Sequence, residues 1–208
     1  FAPLMPPKPI GRLDWEVPQN GDSDRGSLAH ISQSLLNRLR AKASPEQVTA
    51  WIEKEMGGHP QRITLVVQTL LHAGNKSVSH LEKLIEKFGW LIQHVAPDAA
   101  SMAQVVGAGL SYWANSSQMA SLLTRKFIDA RLVGATPTLA HLFQSKGVRA
   151  LIDFDSWETI LAAAEMVVNL QANAAANLAA EKRIWEDRGM EVDDDDDSGA
   201  PPGQAEME

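Results

Sequence analysis

VSHLEKLIEKFGWLIQHVAPDAASMAQVVGAGLSYWANSSQMASLLTRKFIDARLVGATPTLAHLF, Val78 to Phe143, decides the fold. Its apolar residues recur every three or four positions, the period of a helix with one buried face. The first run is Val78, Leu81, Leu84, Ile85, Phe88, Leu91, Ile92 and Val95. Met102, Val105, Val106, Leu110 and Trp113 form the second, and Met119, Leu122, Leu123, Phe127 and Ile128 the third. A fourth opens with Leu139, Leu142 and Phe143. The breaks between them are short: Ala96-Pro97-Asp98, Asn115-Ser116, and Val133 to Thr136. Helices joined this tightly fold back on one another as antiparallel pairs.

The pattern continues on both sides. Upstream, Ser27 is placed to cap a helix carrying Leu28, Ile31, Leu35, Leu36 and Leu39, with Arg38, Arg40 and Lys42 at its negative end. Ser44-Pro45-Glu46-Gln47 is the sharpest local signal: an N-cap serine, a proline in the first turn and a glutamine closing a capping box. Val48, Trp51 and Ile52 follow as its stripe, and Gly57-Gly58 ends it. A third helix opens near His59-Pro60, carries Ile63, Val66, Val67, Leu70 and Leu71, and stops near Gly74-Asn75.

Downstream, Thr136-Pro137 repeats the cap-then-proline start, and Gly147 is placed as a C-cap. Asp155-Ser156-Trp157-Glu158 reads as another capping box. It opens the longest pattern, which runs through Ile160, Leu161, Val167, Val168 and Leu178 to Trp185. A helix from Ser156 to Asp187 would be on the order of 50 Å long. The sum is about eight helices and no strand, Leu151-Ile152 being too short to form one. Fold class follows: an all-α stack of antiparallel helical hairpins, with core positions at Trp113, Leu122, Phe127, Leu142 and Trp157.

The ends differ from the body. Residues 1–25 hold Pro6, Pro7, Pro9 and Pro18 and a polar run from Gln19 to Asp24. Yet Phe1, Leu4, Met5, Ile10, Leu13 and Trp15 are unusual in a free linker. The stretch is either an ordinary connector from an upstream domain or an arm laid across a neighbouring surface. Residues 26–188 form the helical domain. Residues 189–208, with Asp193 to Asp197, are too polar to bury a core and read as a disordered acidic tail.

Of the net charge of -7, the stretch from Glu186 to Glu208 carries ten acids and one base. The rest is therefore close to neutral, which argues against a strongly basic nucleic-acid binder. No apolar run is long enough to span a bilayer, and no signal-peptide pattern opens the chain. A start at Phe1 instead of methionine suggests a fragment or a processed product. Cysteine is absent, so disulfides and thiolate zinc sites are excluded.

No stretch carries legible chemistry. His30, His59, His72, His80, His94 and His141 lack the spacing of a metal site. Gly74-Asn75-Lys76-Ser77 has the composition of a phosphate loop but neither its upstream glycine nor a preceding strand, so it reads as a turn between helices. Gly107-Ala108-Gly109 lies inside a helical pattern and suits close helix packing. Ser111, Ser116, Ser117 and Ser121 have no placed histidine–acid pair. No catalytic residue, cofactor or metal is indicated.

Candidate interface residues are Trp15 and Trp185, on the two flanking elements, and Arg125, Lys126 and Arg131. Those three cations belong to a wider group with Lys146, Arg149, Lys76, Lys83 and Lys87, suited either to RNA phosphates or to a mixed solvated surface.

Two segments carry a resemblance. Leu70 to Leu91, LLHAGNKSVSHLEKLIEKFGWL, is similar to a helix–turn–helix in the last helical domain of the large subunit of the nuclear cap-binding complex. Tyr112 to Phe143 resembles the next helices, with Trp113, Gln118, Met119, Leu122, Lys126 and Leu132 matching the family pattern. The resemblance covers roughly Gly26 to Trp185. It implies a MIF4G/HEAT-like α–α superhelix, the third such domain of that subunit, with a fungal source, no enzyme activity and no cofactor. The implied partner is a small subunit with an RNA-recognition fold that holds the methylated guanosine cap of RNA polymerase II transcripts. Capped RNA is met mostly through that partner, and further factors serve splicing, export and nonsense-mediated decay. The implied location is the nucleus, with shuttling to the cytoplasm, and no membrane. The alanine-rich last helix and the aspartate tail depart from the animal pattern, so no single contact residue is carried over. Two other classes stay open: a different helical-repeat interaction domain of translation or mRNA decay, and an all-helical enzyme fragment with its active residues upstream.

Overall fold

The computed structural model describes residues 9–16 and 25–187. Eight α-helices run through the described residues: α1 (Arg25–Arg40), α2 (Pro45–Met56), α3 (Arg62–Gly74), α4 (Val78–Val95), α5 (Ala99–Tyr112), α6 (Ser117–Asp129), α7 (Ala135–Lys146) and α8 (Phe154–Asp187). Short 3-10 turns lie at Asp14–Glu16 and Gly147–Leu151, and no strand occurs among the described residues. The second of these turns holds Leu151 and runs up to Ile152.

The helices form an all-α stack with antiparallel hairpin packing. Alternate helices lie side by side in one layer, α1 on α3, α3 on α5 and α5 on α7. In the other layer α2 packs on α4, and α1·α2, α3·α4 and α5·α6 join the layers. Such i, i+2 neighbours are the packing pattern of a helical-repeat stack.

The hub is α3, just upstream of the stretch whose periodicity is clearest. Nine of its 13 residues are buried, including Leu65, Val66, Val67, Leu70 and Leu71. A helix that is apolar on most sides can only sit inside, with neighbours all round. Two polar side chains go in with it and are paired. Thr69 donates to Ser32 Oγ on α1 at 2.8 Å, and Gln68 Nε2 donates to the Ala108 carbonyl on α5 at 3.2 Å.

Local chemistry fixes where the helices start. Ser44 Oγ accepts from the Gln47 amide at 3.3 Å while Gln47 Oε1 accepts from the Ser44 amide at 3.2 Å, a complete capping box for α2. Ser77, Asp98 and Ser116 cap α4, α5 and α6. Gly147 ends α7 at φ +55°, a conformation glycine adopts without a Cβ penalty. Gly107 and Gly109 do serve close packing. A Cβ on Gly109 would lie 2.9 Å from Leu123 Cδ2, and one on Gly107 would lie 2.8 Å from His141 Cε1.

Three starts differ from the sequence reading. α1 begins at Arg25, so Ser27 lies in its first turn and is not the cap. α7 begins at Ala135 with Gly134 before it, so Thr136 is helical. α8 begins at Phe154, so the backbone of Asp155 is already helical, and the side-chain network before it centres on Asp153. Ser156 Oγ donates to Asp153 Oδ2 at 2.8 Å, and Lys146 Nζ reaches both Asp153 Oδ2 and Ser156 Oγ. The face that α8 buries also differs from the sequence pattern. Its buried face is Ser156, Thr159, Ala162 and Ala163, while Trp157 and Leu161 are each 52% exposed.

Trp157 is therefore not core. Its indole nitrogen donates to the Leu151 carbonyl at 2.7 Å. Leu122 is half-buried, because its neighbour Leu123, at 1% exposure, takes the inward position. Trp113, Phe127 and Leu142 are buried as expected.

By compactness the chain divides into two units, Phe1–Ala164 and Glu165–Glu208. The described part of the second is the remainder of α8, where Val168, Leu178, Ile184 and Trp185 are exposed. The acidic stretch 189–208 lies outside the described residues.

Candidate interaction surfaces

The cationic residues expected to face a partner are largely engaged within the chain. Lys126 on α6 reaches Glu82 Oε1 on α4 at 2.6 Å, and this hydrogen-bonded carboxylate pushes its pKa up. Arg125 lies 3.9 Å from Asp129 one turn on. Arg131 is exposed, just past the end of α6, at φ +54°. Lys146 is held at the start of α8 by Asp153 and Ser156, and Lys87 Nζ sits 4.9 Å from the centroid of the Phe88 ring. Arg125, Lys126 and Arg131 thus share the end of α6. With two carboxylates among them, they make a mixed surface and not an uncompensated basic patch.

Trp15 and Trp185 fall in different environments. Trp185 is 46% exposed on the second unit. Trp15 is 8% exposed, its ring covered within the chain. The described lead-in, Pro9 to Glu16, is seated on the stack. The Arg12 amide donates to the Tyr112 carbonyl at 2.9 Å, and the Asp14 amide donates to Gln68 Oε1 at 2.8 Å. Ser111 Oγ donates to Asp14 Oδ1 at 2.6 Å. Leu13 is 5% exposed, and Gly11 lies so close to Tyr112 that a Cβ there would be 2.1 Å from ring carbon Cε1.

Tyr112 itself is fixed from the far side. Asn75 Nδ2 donates to its hydroxyl at 3.2 Å, and His72 meets the ring edge-on. Burial, aided by the Glu16 charge, pushes the phenol pKa up against the Asn75 bond. Near the start of the lead-in, Pro9, Leu71, Leu81, Trp113 and Met119 line a mainly apolar cavity of about 140 Å³. The Trp113 indole nitrogen is buried without a hydrogen-bond partner among the described residues.

Sequence reading missed Gln68 and Ser111. Gln68 had one available signal, a lone amide inside the apolar run Leu65 to Leu71. A polar group placed there must find partners.

Among the described residues no group of three His, Asp or Glu side chains is placed to hold a metal ion. No helix of the described residues is long and apolar enough to cross a membrane.

Comparison with known proteins gives that stack a family. Residues 22–199 match the family model described as "MIF4G like". The chain is 24% identical over 161 residues to the nuclear cap-binding protein subunit 1 of Arabidopsis thaliana, covering 76% of this chain and 19% of that protein. It is 27% identical over 174 residues to the protein of the same name from Gallus gallus, covering 77% and 21%. For Salmo salar the figures are 26% over 129 residues, 62% and 16%. The chain therefore spans about a fifth of the length of the curated relatives it matches. The α–α hairpin stack and the family match over most of the chain agree, and the chain belongs to the MIF4G-like family.

Proposed function

We propose that this domain is a non-enzymatic scaffold in the large subunit of a nuclear cap-binding complex. It supports a small subunit with an RNA-recognition fold, and that subunit holds the m7G cap of RNA polymerase II transcripts. One observation carries the reading. Nuclear cap-binding subunits from plants and animals match this chain over as much as 77% of its length. The fold is compatible with it, since hairpin stacks offer broad rigid surfaces for docking.

In this reading the chain is the third helical domain of its protein. It acts in the nucleus, with shuttling to the cytoplasm, and helps recruit factors for splicing, export and decay. Its contribution to cap binding is indirect. A rigid surface that preorders a flexible partner raises that partner's ligand affinity, because the ordering cost is met before the ligand arrives. RNA contact through Arg125, Lys126 and Arg131 is secondary, since Glu82 and Asp129 already engage two of the three.

The test is a titration of m7G cap analogue into the small subunit, alone and with the full-length large subunit. The proposal expects affinity at least tenfold higher in the complex. Equal affinities would remove the preordering role.

A further inference from the structure

We infer that the surface crossing α5, α3 and α1 is a peptide-binding site. Its ligand is a short segment with the spacing Gly-x-Leu-Asp-Trp. In the free chain that ligand is its own residues 11–15.

Each position of the segment is read separately. Gly11 is selected by the Tyr112 ring, which leaves no room for a Cβ. Leu13 and Trp15 are the apolar anchors, at 5% and 8% exposure, and the turn carrying Trp15 packs on α1. Arg12 and Glu16, between and after them, are exposed. Asp14 is read twice, its carboxylate by the Ser111 hydroxyl and its amide by Gln68 Oε1.

The receptor groups on the stack have the character of a recognition surface. Gln68 is fully buried in the hub helix. It spends its Nε2 on the Ala108 carbonyl, which aims its oxygen at the segment. Buried there, that oxygen needs a donor, and the Asp14 amide is the one it takes. The Tyr112 carbonyl is one of the last-turn carbonyls that an α-helix leaves without an internal partner, and the Arg12 amide takes it. Two backbone hydrogen bonds, one carboxylate contact and two anchors are a recognition set of the size that peptide-docking domains use.

The segment adds no α-helix to the stack, whose layers are joined by contacts of their own. It can therefore be exchanged for a free peptide of the same pattern. A partner protein presenting that spacing is the class of ligand this site takes. The inference does not depend on the cap-binding reading.

The test uses the full chain. A dye-labelled peptide, PIGRLDWEV, copies residues 9–17. It is titrated into the natural chain and into a Gly11→Val variant, whose own segment cannot seat against Tyr112. Saturable binding to the variant is expected, at least tenfold tighter than to the natural chain, where the tethered segment competes at an effective concentration on the order of millimolar. A control peptide with valine at its glycine position should not bind. A variant that is folded by circular dichroism and does not bind overturns the inference.

If Gly11→Val fails to fold, the natural chain answers the question. Peptide in excess at about 10 mM, above that effective concentration, should speed hydrogen exchange at the Arg12 and Asp14 amides. Unchanged exchange overturns the inference. A concentration-dependent dimer, abolished by Gly11→Val, would overturn it in favour of segment exchange between copies.

Discussion

α3 and α8 show two ways for a helix to bury a face. α3 is apolar nearly all round and sits at the centre, with Val66 and Val67 at 0% exposure. Within the first unit, α8 buries small residues: Ala162 is 3% exposed, Ala163 and Ser156 are at 0%. Its large apolar side chains, Trp157 and Leu161, face outward. In α3 stability comes from apolar area removed from water. The start of α8 is instead held by the Lys146–Asp153–Ser156 network beside small buried side chains. Hydrophobicity alone therefore does not say which way a helix faces; the size of the residues on each side decides.

Substitutions can break that contrast. The largest effect should come from the hub. Leu70→Ala, at 2% exposure, should cost about 2–5 kcal/mol of unfolding free energy in urea. The outward face of α8 should behave oppositely, with Leu161→Ala changing stability by roughly 0.5 kcal/mol or less. Equal losses at the two sites would end the distinction.

A reversed change sharpens it. Ala163→Leu adds volume at a fully buried position of α8 and should destabilise by about 1–3 kcal/mol. The same change on the exposed side, Ala164→Leu, should be near neutral by the same urea measurement. Ser44→Ala comes next, removing half of the capping box of α2 at a cost of about 1 kcal/mol.

The smallest effect is a pH dependence at His141. Burial lowers its pKa, so the folded chain resists the proton. The unfolded chain takes it up as pH falls below about 6.5. Stability from this group is complete above that pH and declines as pH falls toward the lowered folded value. His141→Gln should flatten the difference in urea midpoint between pH 7.5 and 5.5. A slope unchanged from the natural chain would show that His141 does not contribute.

The same contrast explains what could be read from sequence. α4 carries one apolar face with polar residues opposite, so its period is plain and its bounds, Val78–Val95, follow from the pattern and Ser77. α3 shows the same period at Ile63, Val66, Val67, Leu70 and Leu71, but its role as hub is legible only from packing. The phase of α8 was misread because the pattern followed large residues while the buried face holds small ones. The capping box of α2 was legible because Ser44 and Gln47 answer each other within four residues, whereas the like pair Asp98 and Ser101 at α5 went unread.

The interaction surface was harder for a related reason. Lys126 pairs with Glu82, 44 positions upstream, and no local signal announces such a contact. Trp15 was an anchor candidate because it lies on a flanking element. The turn that carries it packs on α1, the next helix, whereas the seating of Asp14 by Gln68 and Ser111 is non-local.

The most direct test of the account is co-purification. The full-length protein would be expressed with an RNA-recognition-fold small subunit from the same organism, then passed over size exclusion and a methylated-guanosine resin. The account predicts co-elution, and retention on the resin that requires both proteins. Two folded proteins that elute separately, with the small subunit retained equally well alone, would contradict it.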